Sequence, residues 1–171
     1  MNIRFATGLM LASTIALAAC QKKAPAELPP APEETATPAP TETGPAGSVV
    51  GTQQHFAEAV GTSNTVVYFD TDQFNIDSED AAKLQTQAQY FSQYSQLNFT
   101  IEGHADERGT REYNLALGER RANAAKNYLT SVGIPANRIQ VISYGKERPE
   151  ALGSDEAAWA QNRRAATIVI N

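Results

Sequence analysis

Seven of the nine prolines lie between residues 24 and 52, a stretch that also carries four glutamates and no basic residue. Alanine and threonine fill most of the remaining positions. Such a stretch cannot bury enough apolar surface to offset the entropy of ordering, so it is expected to be disordered. Its prolines favour extended polyproline II at about 3.1 Å per residue, a reach of up to roughly 90 Å. Any packed core must therefore come from residues 53–171. A segment of about 120 residues is enough for one core.

The first residues read as an export signal. Arg4 and the free amine precede an uncharged apolar run, Phe5 to Ala19. That run is too short to span a bilayer as a mature helix, whereas a cleaved secretory signal is of this length. It ends in Leu17-Ala18-Ala19-Cys20, which resembles the lipobox of bacterial lipoproteins, where cleavage precedes a cysteine that is then acylated. Cys20 is the single cysteine, so an intramolecular disulfide is excluded. One acyl chain holds a protein marginally and two or more hold it durably. The anchor resembled here carries several. Gln21 stands where an aspartate often signals inner-membrane retention, which favours the outer membrane. The expected layout is a signal peptide over 1–19, lipidated Cys20 with a Pro-rich linker over 20–52, and a folded periplasmic domain over 53–171.

Within 53–171 the periodicity alternates between two types. Gln53–Val60 reads as a short amphipathic helix capped by Thr52, and Thr65–Phe69 as a β-rich first strand. After a polar loop, Asp77 or Ser78 caps a helix whose apolar positions Ala81, Leu84, Ala88 and Phe91 recur at three and four. Phe99, Ile101 and Gly103 alternate with Thr100, Glu102 and His104, the pattern of a half-buried strand. A long helix spans about Glu112 to Val132 and stops at Gly133, with Pro135 beyond. Arg138–Tyr144 is a third strand. A loop containing Pro149 follows, then a short helix capped by Asp155 and a closing strand over Ala165–Ile170. This order predicts an α+β domain in two layers, with helices on one face of a small four-stranded mixed sheet.

On the long helix, at about 100° per residue, Arg121 falls inside the apolar arc with Leu117, Ala125 and Leu129. Arg120 falls on the solvent side. A buried arginine requires partners, because an unpaired internal charge costs several kcal/mol. Asp106, at the end of the preceding strand, and Asn114, in the helix's first turn, are the expected partners. Pattern alone leaves two readings open: a structural Asp–Arg bridge, or a cleft for a ligand carrying both an ammonium and a carboxylate.

Several motifs bear on that choice. Phe69-Asp70-x-Asp72, Gly103-His104-Ala105-Asp106-Glu107-Arg108-Gly109-Thr110, Tyr113-Asn114, Gly118-Glu119-Arg120-Arg121-Ala122, Ser143-Tyr144-Gly145-Lys146 and Asn162-Arg163-Arg164-Ala165 occur in this order. Together they resemble the OmpA-like peptidoglycan-binding domain family, and in particular its lipid-anchored members, over roughly residues 65–170. The resemblance implies a noncovalent tether between outer membrane and cell wall, within the Tol-Pal system of envelope integrity and cell division. It implies that the ligand is meso-diaminopimelate of the stem peptide, with Asp106 taking the ammonium and Arg121 the carboxylate. It further implies that backbone amides of Phe69 and Asp70 donate to the ligand and that Leu117 lines the site. A periplasmic Tol β-propeller is the implied protein partner, on an overlapping surface. Arg111 departs from the proline common at that position in the family.

Other functions find little support in the residues. The folded segment has eleven basic and fifteen acidic residues, net −4, unlike the basic footprint of a nucleic-acid binder. There is no Gly-x-Ser-x-Gly elbow, and the only thiol is the one expected to be acylated. His104 and Asp106 would share one face of an extended strand but lack an evident third ligand, so neither metal nor cofactor is expected, and His104 is expected to be a hydrogen-bonded structural residue. The expected role is binding rather than catalysis.

Overall fold

Side-chain caps set the helix starts. The Thr52 hydroxyl accepts from the His55 N–H and opens α1 (Gln53–Val60); Asp77 accepts from Asp80 N–H and opens α2 (Ser78–Gln93). Thr110 does the same for α3 (Arg111–Ser131), and Asp155 for α4 (Glu156–Asn162). Four strands complete the fold: β1 (Val66–Tyr68), β2 (Asn98–His104), β3 (Ile139–Gly145) and β4 (Arg164–Ile170). These come from a computed structural model that describes residues 48–170. The signal segment, Cys20 and nearly all of the Pro-rich stretch lie outside the described residues. No described helix is long and apolar enough to cross a membrane.

The sheet order is β1-β4-β2-β3, with β2 parallel to β3 and antiparallel to β4, and β1 antiparallel to β4. It is a small mixed sheet, as expected. Phe99 and Ile101 of β2 and Val169 of β4 face a core shared with Phe56 of α1, Leu84 and Phe91 of α2, and Ala125 and Leu129 of α3. Phe91 stacks on Phe99 with ring centroids 3.7 Å apart. Each such side chain, fully buried, contributes roughly 1.5–3 kcal/mol by leaving water.

Three sequence expectations are adjusted. Strand β2 is not half-buried: Thr100 and His104, on its other face, are also buried, because β2 runs between β4 and β3 rather than along an edge. The short 3-10 turns at Thr62–Thr65 and Ala136–Arg138 were not anticipated, since they carry no apolar period. His104 is buried, yet among the described residues neither ring nitrogen has a hydrogen-bond partner.

Candidate functional site

The site begins with two glycines. A Cβ on Gly103 of β2 would stand 1.8 Å from the Gly118 carbonyl oxygen, and one on Gly118 would stand 2.4 Å from Ser143 Oγ. Their absence lets α3 lie directly on β2 and β3. One turn further along α3, Arg121 is thereby held beside the end of β2, with no exposed surface. Its helical-face placement was legible in the sequence; its partners were not.

Arg121 donates to three backbone carbonyls: Nε to Gln73 at 2.9 Å, Nη1 to His104 at 2.9 Å, and Nη2 to Asp70 at 3.1 Å. Asp70 and Gln73 are the two ends of one turn, in which Gln73 N–H also donates to Asp70 O, and Asp72 between them has φ 57°. The guanidinium thus fastens the β1–α2 loop to the end of β2. It also lies 5.2 Å over the Phe69 ring. Burial lowers its pKa to about 10; the Asp106 charge offsets part of this, and Arg163 adds to it. Among the described residues no carboxylate lies within 4 Å of it, so the expected Asp106–Arg121 bridge does not form. A guanidinium has five N–H donors, and three carbonyls leave two of them unassigned.

Asp106 is bound instead by Arg108. Its Oδ1 accepts from the Arg108 backbone N–H at 3.1 Å and from Nε at 3.0 Å, and its Oδ2 accepts from Nη2 at 2.7 Å. The Arg163 Nη1 stands 3.7 Å from Oδ2. Burial pushes the Asp106 pKa up, but the Arg108 hydrogen bonds and charge outweigh it, leaving the carboxyl below its ordinary value. Asn114, expected beside Arg121, donates to the Arg108 carbonyl at 2.8 Å. The Arg108 pairing was missed because it depends on loop geometry rather than on helix or strand period. A signal was present: Asp-x-x-Gly at Asp106–Gly109 is the pattern of a side-chain-closed turn, and Gly109 has φ 89°.

The expected ligand role of the Phe69 amide is not supported by its geometry. Phe69 N–H donates to Arg163 O at 2.9 Å, and Phe69 O accepts from the Arg163 side chain through Nε at 2.9 Å, so both backbone groups of Phe69 are already engaged just beyond the β1–β4 pairing. The Asp70 amide has no backbone acceptor among the described residues. Arg163 also pairs with Glu156 at 2.8 Å, and Asn162 ties down the Glu150 and Ala151 amides, so this motif supports the loops. A cavity of about 260 Å³ opens on Asp106, lined also by Asp72, Arg108, Tyr113, Asn114 and Leu117. Arg121, fully buried, does not line it. The arrangement presents an acid within reach of a cavity and a buried cation with two uncommitted donors.

The sheet order, the close β2–α3 contact and this loop–helix site define a two-layer α+β class of domain. A family model described as "OmpA family" matches residues 68–163, more than half of the chain. The chain belongs to the OmpA family. It is 51% identical over 126 residues to the peptidoglycan-associated lipoprotein of Rhizobium meliloti (strain 1021), covering 74% of this chain and 70% of that protein. The crystal structure of the peptidoglycan-associated lipoprotein from Burkholderia pseudomallei superposes with a TM-score of 0.61 at 46% identity, covering 62% of this chain and 90% of that one. The C-terminal domain of Helicobacter pylori MotB shares the fold alone, with a TM-score of 0.58 at 17% identity over 62% of this chain and 84% of that one.

Proposed function

We propose that the chain is an outer-membrane lipoprotein that holds peptidoglycan noncovalently through meso-diaminopimelate of the stem peptide. Acylated Cys20 anchors it in the membrane, residues 20–52 span toward the wall, and residues 53–171 bind there from the periplasmic side. The names of its relatives support association with peptidoglycan rather than catalysis. The observation that carries the ligand reading is the pairing of opposite charges across one small region. Asp106 faces the cavity, its pKa held below the ordinary carboxyl range, while Arg121 keeps two donors and, among the described residues, no carboxylate partner.

In this reading Asp106 takes the ligand ammonium, and Arg121 takes the carboxylate on the same carbon. Leu117 and Asn114 line the site, and the Asp70 amide donates to the ligand. Phe69 acts through its ring, beneath the guanidinium. Because Arg121 is fully covered, the carboxylate reaches it only if the Asp70–Gln73 turn shifts. A planar fork grips a carboxylate through two parallel bonds, which a lysine in its place cannot do. The test is co-sedimentation of residues 53–171 with purified sacculi. Wild type should sediment with them, and Asp106→Ala should remain in solution.

We propose in addition that a periplasmic Tol β-propeller docks on an overlapping surface, so that wall and Tol partners exclude one another. Family resemblance motivates this, and competition checks it. Simultaneous binding of a Tol propeller and a muropeptide would rule out the shared surface.

A further inference from the structure

The Asp106 carboxylate already holds a cation, and that cation belongs to the protein. Two guanidinium bonds from Arg108, at 3.0 and 2.7 Å, close on its two oxygens, and the Arg108 backbone N–H adds a third bond at 3.1 Å. Arg108 also forms part of the wall of the cavity that opens on Asp106. An incoming ammonium needs the same oxygens, and a second cation beside it would be repelled. A carboxylate offers about four acceptor sites, and three are taken, so an ammonium that donates two or more bonds must displace the Arg108 side chain rather than its backbone N–H.

Arg108 has a second partner that does not depend on Asp106. Its side chain is 39% exposed, and its guanidinium already lies 4.2 Å over the Trp159 ring. The Trp159 indole N–H is fixed by a 3.0 Å bond to Glu107 Oε1, and Thr71 Oγ1 lies 3.4 Å from Arg108 Nη2. An arginine stacked on indole keeps a favourable cation–π contact when its carboxylate is taken away.

From this geometry we infer that Arg108 is a resident counter-ion of Asp106, displaced by the ligand ammonium and retained on Trp159. The inference rests on the reading of Asp106 as the ammonium subsite. It makes Arg108 a specificity device. Exchanging one partly exposed ion pair for another changes free energy little, so a bare amine gains almost nothing by entering. Only a ligand that also brings a carboxylate to Arg121 binds with net benefit. Lysine side chains, abundant on other proteins, are thereby refused.

Trp159 is the only tryptophan, so its emission reports the exchange. The experiment titrates the full chain, in detergent micelles, with the tripeptide L-Ala–D-Glu–meso-diaminopimelate and with its lysine counterpart, following heat and tryptophan emission. Wild type should bind the diaminopimelate tripeptide with a change in emission. Arg108→Gln and Arg108→Ala should bind it up to roughly fivefold tighter, the range of an exposed ion pair, and should accept the lysine tripeptide more readily. Their emission should not respond. Binding by wild type with unchanged emission, or variants that bind no tighter, would overturn the exchange and leave the ligand reading standing. Absence of heat from wild type with the diaminopimelate tripeptide would bring down the ligand reading itself.

Discussion

Gly103 on the sheet and Gly118 on α3 meet backbone to backbone, with the Gly118 carbonyl oxygen only 1.8 Å from where a Gly103 Cβ would stand. That contact fixes how far α3 sits from β2, and so places the Arg121 guanidinium on the His104 carbonyl at 2.9 Å. A methyl at position 103 has no flexible neighbour to push aside. Gly103→Ala should cost about 3 kcal/mol, the upper end of ordinary overpacking, and lower the melting temperature by roughly 10 °C. Thermal unfolding by circular dichroism measures this. A melting point within a degree or two of wild type would show that α3 can slide without loss.

Arg121 should be more than a ligand contact. Three carbonyls from two separate segments depend on it. Arg121→Lys offers one ammonium to three acceptors that lie around a plane, leaving at least one of them unpaired. A loss of about 2–4 kcal/mol in urea unfolding follows, from lost charge-assisted bonds and an orphaned acceptor, together with loss of sacculus binding. Arg120→Ala, one residue away on the exposed side, removes only a contact with Phe74 at 5.9 Å and should change neither.

The contrast between those arginines was readable from sequence, because helical periodicity assigns one to the apolar arc and the other to solvent. The strands and the long helices were readable for the same reason, and the caps at Thr52, Asp77 and Asp155 from their side-chain oxygens, whereas Thr110, which caps α3, was not anticipated. What Arg121 holds was not. Its acceptors are backbone carbonyls at Asp70, Gln73 and His104, and a carbonyl carries no side-chain signature. The sequence pairs it with Asp106 because opposite charges are the visible partners. The fold gives Asp106 to Arg108, two residues along the same loop. The burial of both faces of β2 was hidden too, since a strand's neighbours follow from topology and not from its own alternation.

His104 should make the domain sensitive to acid. Burial, with the nearby Arg164 charge adding to it, lowers its pKa from 6.5 to about 4; a backbone contact at Arg148 offsets only part of the shift. The unfolded chain then binds more protons than the folded one between those values, so stability is full above about pH 6.5 and falls as pH drops toward 4. The loss attributable to His104 should approach about 3 kcal/mol at the lower end. Urea unfolding at a series of pH values, with His104→Gln beside wild type, checks the sign and size. The variant's curve should be flatter over this range; parallel curves would show that His104 protonates without penalty.

Asp106→Asn keeps the shape of the loop but removes the charge. The Arg108 backbone bond can persist, so stability should fall by no more than about 1 kcal/mol, the scale of a partly exposed ion pair. Sacculus binding should nevertheless be lost, because the amide neither neutralises an ammonium nor accepts from it as strongly. Thermal unfolding and co-sedimentation on the same preparation separate these two effects. An Asp106→Asn variant that sediments like wild type would remove the carboxylate from the binding account.

The central claim is that one site reads an ammonium and a carboxylate on the same carbon. Calorimetric titration of the wild-type chain with two tripeptides, L-Ala–D-Glu–meso-diaminopimelate and L-Ala–D-Glu–L-Lys, tests it most directly. The two ligands share the amine and differ in the terminal carboxylate, whose pairing with a buried guanidinium should be worth about tenfold or more in affinity. The account predicts binding of the first and a weakening of at least that size for the second. Equal affinities would mean that Arg121 does not reach the ligand, and would contradict it.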